Sequence, residues 1–309
     1  MSTTPILHHY DFSPFSEKVR TAFGLKGLAW HSVDIPGVPP RPLLSPLTGG
    51  YRRVPVLQIG ADIFCDTNII LPALERLFPG TPSLFPAGCE GVARGLGFAW
   101  ERQLWVPTIG VLVHYIGEHI PAEFIKDRKE GYLMIDISQQ AMAPQFEQHA
   151  SFLRAQYGWL CEALATRPFL LGEAPSAADL ACWQTTYLLR KNCPPEVDTL
   201  LGLATLARWY DHIAAIGHGK RSEMTPEAAF EVARKATPMP VTHLDLNGDP
   251  GGLLTGCPVT VTPDDNARVP VRGTLVAAGP HEVVIHRLDE RAGDVHIHFP
   301  RLGFDVAAA

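Results

Sequence analysis

Residues 5–20 read Pro5-Ile6-Leu7-His8-His9-Tyr10-Asp11-Phe12-Ser13-Pro14-Phe15-Ser16-Glu17-Lys18-Val19-Arg20, and the chain changes character within them at Ser13. Pro5-Ile6-Leu7 is a short apolar run of strand type. Phe15, Val19, Ala22 and Phe23 then recur at helical spacing, and Gly27 follows as a stop. A helix beginning here has Ser13 as its N-cap and Pro14 in its favoured first-turn position. Such a helix start carries unpaired backbone N–H groups and partial positive charge, which favour an anion, including a thiolate. The Ser13 hydroxyl has two readings at that point. It caps the helix, or it donates a hydrogen bond to a bound thiol and favours the ionised form.

Working outward, residues 1–80 alternate strand and helix signals in the order β-α-β-loop-β-β-α. Trp30 to Ile35 alternates like a strand, and residues 36–53 are rich in Pro and Gly and read as an irregular loop. Val54 to Ile59 and Ile63-Phe64 flank Gly60-Ala61, a two-residue hairpin turn with Gly first. Asn68 to Phe78 is again helical. Residues 79–91 are a Pro/Gly linker. Helical segments are predicted over 90–118, 138–166, 176–191, 198–216 and 225–236. From Pro238 the chain is dense in Gly and Pro. Short alternating runs follow at 259–262, 269–276, 283–286 and 295–299, which predict a small antiparallel sheet or barrel. The expected domains are therefore 1–80, 90–236 and a small β-rich accessory domain at 238–309.

Composition narrows the function classes. The chain has 309 residues, 46% apolar and 19% charged, with net charge −6. That is ordinary globular usage. No block of like charge stands out, and nucleic acid, which needs a basic face to neutralise its phosphates, is not an expected partner. No apolar run approaches the roughly 20 residues of a membrane helix, and the first ten residues do not read as a signal peptide. The six scattered cysteines have no C-x-x-C spacing and read as reduced thiols, consistent with a cytoplasmic location.

Two further positions join Ser13. At Val54-Pro55 a proline precedes a strand. It is either an ordinary edge-strand proline or a turn, sometimes cis, that leaves the neighbouring backbone free to pair with an extended ligand. At Asp66-Thr67 two N-cap residue types open a helix. They cap it, or they hold the amino-acid end of a ligand.

These three features occur in order within one β-α-β-β-β-α stretch. With them, residues 5–78 resemble the N-terminal, thioredoxin-like domain of cytosolic glutathione transferases. The run from Ser13 to Arg20 is similar to the active-site segment of the tau and omega classes, where tau enzymes carry a catalytic serine before Pro-Phe. The resemblance implies that Ser13 activates the thiol of glutathione, with Tyr10 as the runner-up hydroxyl. It implies a cis Val54–Pro55 bond whose preceding backbone binds the cysteinyl part. Phe15 neighbours the site, Asp66-Thr67 stands where the family grips the γ-glutamyl group, commonly with Glu-Ser, and Arg53 lies near the glycine carboxylate. Ser16 and Ser13 replace the two cysteines of a thioredoxin-type C-x-x-C, which removes dithiol exchange here.

A second match lies at Phe169 to Leu180, FLLGEAPSAADL, which resembles the family's folding motif. Ser176 caps a helix and Asp179 reaches back to its N–H, a capping box worth about 1 kcal/mol. The resemblance covers about 5–220 and implies an all-helical C-terminal domain; the 238–309 segment lies outside the usual pattern. Trp100, Trp105 and Tyr115 sit on the first long helix, which in the family borders the hydrophobic-substrate site; core packing is the other reading. His8-His9 and His296/His298 invite a metal reading, but no Cys, Asp or Glu cluster of matching spacing accompanies them, and no metal is expected. The implied function is a detoxification-type glutathione transferase. Glutathione is its co-substrate, a small hydrophobic electrophile its second substrate, and a homodimer the expected assembly. The alternatives are a non-catalytic scaffold of the same fold, with the added β segment recruiting a partner, and a glutathione-dependent isomerase.

Overall fold

A computed structural model describes residues 4–244 and 251–309. The described chain divides into two compact units. One takes in the residues up to Ser16, Ala29–Arg76 and Lys220–Ala309; the other takes in Glu17–Leu28 and Leu77–Gly219.

The first unit is built on a sheet of ten strands: β1 Ile6–His9, β2 Ala29–Asp34, β3 Val56–Ile59, β4 Asp62–Cys65, β5 Lys220–Glu223, β6 Pro258–Pro263, β7 Val271–Ala278, β8 Glu282–Asp289, β9 Gly293–Pro300 and β10 Phe304–Ala308. Their order across the sheet is β10-β6-β7-β8-β9-β4-β3-β1-β2-β5. The Gly60-Ala61 hairpin joins β3 to β4, with Gly60 at φ +61° where a side chain would be strained. Helices α1 Pro14–Leu25, α2 Leu44–Thr48 and α3 Thr67–Leu77 belong to the N-terminal pattern. The loop expected over 36–53 thus contains one short helix. It is organised by buried Arg41, which donates to the carbonyls of Pro36, Gly37 and Arg52.

The C-terminal β segment does not form the separate accessory domain that its composition suggests. Strand β9 pairs in parallel with β4, so β6–β10 extend the N-terminal sheet. Val259, Val261, Val271, Ile285, Val295 and Ile297 share one apolar cluster with Ile6, Val56 and Ile63. Burying those alternating valines and isoleucines on the common face is what makes the sheet continuous. Two strands were not legible in the sequence. β5, Lys-Arg-Ser-Glu, is exposed at every position yet pairs in parallel with β2. β10 pairs with β6.

The second unit is helical: α4 Glu90–Ile116, α5 Ala122–Asp127, α6 Gln139–Met142, α7 Phe146–Leu164, α8 Ala177–Asn192, α9 Glu196–Leu201 and α10 Ala207–Ala214. A last helix, α11 Pro226–Lys235, is capped by Thr225 and lies in the first unit. The helix predicted over 198–216 is broken at Gly202, which takes φ +74°. In α8, Asp179 accepts the backbone N–H of Ser176 at 3.0 Å and its hydroxyl at 2.7 Å. Its other oxygen accepts Leu170 N–H at 2.8 Å and the Trp209 indole N–H at 3.0 Å. Asp179 is fully buried, and burial, the largest influence on it, pushes its pKa up against these donors.

Candidate functional site

The strand β1 ends at His9 and α1 begins at Pro14, so Ser13 stands at the helix start with only 3% of its surface exposed. Its N–H donates to the Tyr10 carbonyl at 3.2 Å, and its Oγ accepts the N–H of Ser16 at 3.2 Å. A hydroxyl has two acceptor lone pairs and one donor hydrogen. Capping occupies an acceptor position and leaves the hydrogen available to an incoming sulfur. The two readings of Ser13 are therefore compatible. Tyr10 is half-buried and contributes its carbonyl to this turn, and Phe15 is half-buried on the first turn of α1.

Across the same unit, the Val54–Pro55 peptide bond is cis. Among the described residues, neither the N–H nor the C=O of Val54 has a backbone partner, so its backbone is available to pair with an extended ligand. Asp66 closes β4 and opens α3. Its φ is +97°, a region that non-glycine residues seldom occupy, and its Oδ1 accepts the N–H of Asn68 at 2.9 Å. Thr67 is buried beside it.

Arg53 is more committed than its sequence suggests. Its guanidinium lies 3.7 Å from Asp66, donates to the Asn266 carbonyl at 2.5 Å, and forms an ion pair with Asp265. It also lies over the Phe304 ring at 5.7 Å. Asp265 and Asn266 belong to the β6–β7 connection, so the added segment supplies a carboxylate to the cation expected to meet the glycine carboxylate. The sequence holds no signal for that pairing, because the two residues are 212 positions apart.

The aromatic candidates separate. Trp100 is buried, donates its indole N–H to Thr185 at 3.1 Å and packs edge-on against Tyr157, which is core packing. Trp105 is half-buried against an apolar cluster of Ile109, Val113, Ile137 and Met142. Tyr115 packs edge-on against His114 and Phe146, and partial burial raises its hydroxyl pKa.

The histidines also separate. His8 and His9 are adjacent on β1 and so face opposite ways. His8 bonds Gln58 at 2.8 Å and His9 bonds Ser32 at 3.0 Å. Complete burial lowers the His8 pKa to about 4, the Gln58 bond offsetting only part of that. The carboxylates missing around His296 and His298 in the sequence arrive across the sheet: Asp62 from β4 and Glu282 from β8. This corrects the expectation of no acidic cluster, since strand pairing brings Asp62 opposite His296 despite their separation in sequence.

The chain matches two family descriptions: "Glutathione S-transferase, N-terminal domain" over residues 7–82 and "Glutathione S-transferase, C-terminal domain" over 140–212. A solved GST-like protein from Pseudomonas syringae is 34% identical, covers all of both chains and superposes with a TM-score of 0.78. "Glutathione S-transferase U4" of Arabidopsis thaliana is 32% identical over 72 residues, which is 23% of this chain and 32% of the plant protein. "Probable glutathione S-transferase" of Solanum tuberosum is 24% identical over 48% of this chain and 64% of its own length. The chain thus spans less than two thirds of these two curated relatives. The P. syringae protein shares the whole length, the added β segment included. By the two domain matches and this full-length likeness, the chain belongs to the glutathione S-transferase-like family.

Proposed function

We propose that this protein activates the thiol of glutathione for attack on a small hydrophobic electrophile, with Ser13 as the hydrogen-bond donor to sulfur. The observation that carries this reading is the Ser13 geometry: its Oγ accepts from Ser16 N–H at the start of α1 and keeps its own hydrogen for a ligand. That donor, with the positive end of the helix, favours thiolate over thiol. In this reading the tripeptide lies extended along the unpaired Val54 backbone, with its γ-glutamyl end at Asp66 and Thr67. The rare backbone conformation of Asp66 fits a residue held in place for binding. A preorganised donor of this kind contributes about 3 kcal/mol to such a reaction step. The cytoplasmic location and homodimer implied by the family resemblance belong to the same proposal.

A second reading is favoured by one observation. The Arg53 guanidinium is already paired with the Asp265 carboxylate and donates to the Asn266 carbonyl, so a glycine carboxylate would compete with a carboxylate of the protein. A family member that keeps the fold but serves as a binding or scaffold module would tolerate this.

Calorimetric titration with reduced glutathione, with Ser13→Ala in parallel, decides between them. The expected result is binding by both proteins, with the thiol of bound glutathione titrating at higher pH in Ser13→Ala. Absence of binding at millimolar glutathione would refute the transferase reading and leave the scaffold.

A further inference from the structure

We propose that Asp62, His296 and His298 form a site for one divalent transition-metal ion of the zinc type, built where the added β segment joins the N-terminal sheet. β4 and β9 run parallel with Asp62 opposite His296 and Phe64 opposite His298. Residues two apart on a strand share a face, so Asp62, His296 and His298 project together. One carboxylate oxygen of Asp62 and one nitrogen from each histidine all lie within 4.8 Å of one another. His298 Nε2 is 2.9 Å from Asp62 Oδ1, and His296 Nδ1 is 3.8 Å from the same oxygen. Two ligands each 2.0–2.1 Å from a tetrahedral zinc ion stand roughly 3.4 Å apart, a value these two separations bracket.

Three further features separate this cluster from a simple buried ion pair. First, His296 Nδ1 is shielded from solvent and has no hydrogen-bond partner. Such a nitrogen is costly unless something fills the gap. At 3.8 Å from Asp62 it is too far for a hydrogen bond but well placed to share an ion with it. Second, the outer partners of a metal site are already in place. His298 Nδ1 bonds Glu282 Oε1 at 2.7 Å, the carboxylate–histidine arrangement that fixes a ligating ring, and Asp62 Oδ2 accepts the Met239 N–H at 2.8 Å. The His298 ring is held by stacking on Phe64, with centroids 4.2 Å apart. Third, the exposures are graded. The side chains of Asp62 and His298 are 1% and 3% exposed, while His296 is 15% exposed, so the cluster is least enclosed at His296. Two imidazoles and one carboxylate are a zinc-type donor set, which leaves the fourth tetrahedral position to water. On binding, the ion would take the place of the proton shared by His298 Nε2 and Asp62 Oδ1, which is released to solvent, and would give His296 Nδ1 its partner. No group of the proposed glutathione site takes part, so this inference stands apart from that reading.

The test is titration of the metal-free full-length chain with zinc(II), followed by calorimetry, against His296→Ala. His296 is the ligand removed because its Nδ1 carries no hydrogen bond, although its ring also meets the Met239 backbone. Asp62→Asn, which keeps shape and an acceptor, is the second variant. Wild type is expected to bind one zinc equivalent more than either variant, or to bind that equivalent at least about 10-fold more tightly. Equal stoichiometry and equal affinity in wild type and a folded His296→Ala, with folding checked by far-UV circular dichroism, would overturn the proposal. So would zinc density at the cysteines and none at Asp62 in a zinc-soaked crystal.

Discussion

Replacing Asp179 should destabilise the helical unit by several times the worth of a helix cap. The carboxylate accepts four hydrogen bonds, two at each oxygen, from Leu170 N–H, Trp209 Nε1–H, Ser176 N–H and Ser176 Oγ–H. It therefore ties the loop before α8, the helix start itself and the Trp209 indole of α10 to one point. Asp179→Ala leaves these buried donors without an acceptor. At about 1–1.5 kcal/mol each, the loss is about 4–6 kcal/mol, reduced toward about 4 because removing a buried charge returns its desolvation cost. Asp179→Asn keeps one carbonyl-type oxygen and turns the other position into a donor that faces donors, so about 2 kcal/mol is expected. Capping alone would give about 1 kcal/mol, the same as Ser176→Ala. Urea unfolding followed by tryptophan fluorescence and circular dichroism measures all three variants. The expected order of loss is Ala, then Asn, then Ser176→Ala. If Asp179→Ala falls within about 1 kcal/mol of wild type, the residue is only a cap and the three-way tie is not what holds this region.

Other perturbations follow from the same structure. His8 is buried neutral with its pKa lowered from 6.5 to about 4, so the unfolded chain binds a proton over that interval and the folded chain does not. Stability contributed by the neutral ring is present above pH 6.5 and is lost as pH falls toward 4, a change of roughly 3 kcal/mol in order of magnitude. His8→Gln should flatten the slope of stability against pH across that window; an unchanged slope would show that the proton uptake lies elsewhere. Asp265→Ala should tighten glutathione binding by freeing Arg53, read by calorimetry, and weaker binding would show that Asp265 positions Arg53 for the ligand instead.

Much of the proposed site could be read from local sequence. Ser13-Pro14 opens a helix because cap chemistry and the fixed φ of proline act within a few residues. Asp66-Thr67, the Gly60-Ala61 hairpin and the pairing of Ser176 with Asp179 rest on equally short-range rules. The strand segments of the C-terminal region were legible from alternation, except β10, whose alanines carry little pattern, and β5, whose Lys-Arg-Ser-Glu reads as exposed loop.

What the sequence by itself determined, then, is most of the main elements, the starts at Ser13, Asp66-Thr67 and Ser176, and the resemblance carried by residues 5–78. Only the tertiary structure decided how the last strands are used. Alternation shows that β9 has an apolar face, but it does not name the edge it joins, because strand partners are chosen by burial and backbone pairing across the whole fold. That choice, β9 against β4, turned an expected separate domain into an extension of one sheet. It also brought Asp62 to His296 and His298. The β6–β7 connection similarly brought Asp265 to Arg53. Such encounters join residues more than 200 positions apart, and no local spacing encodes them.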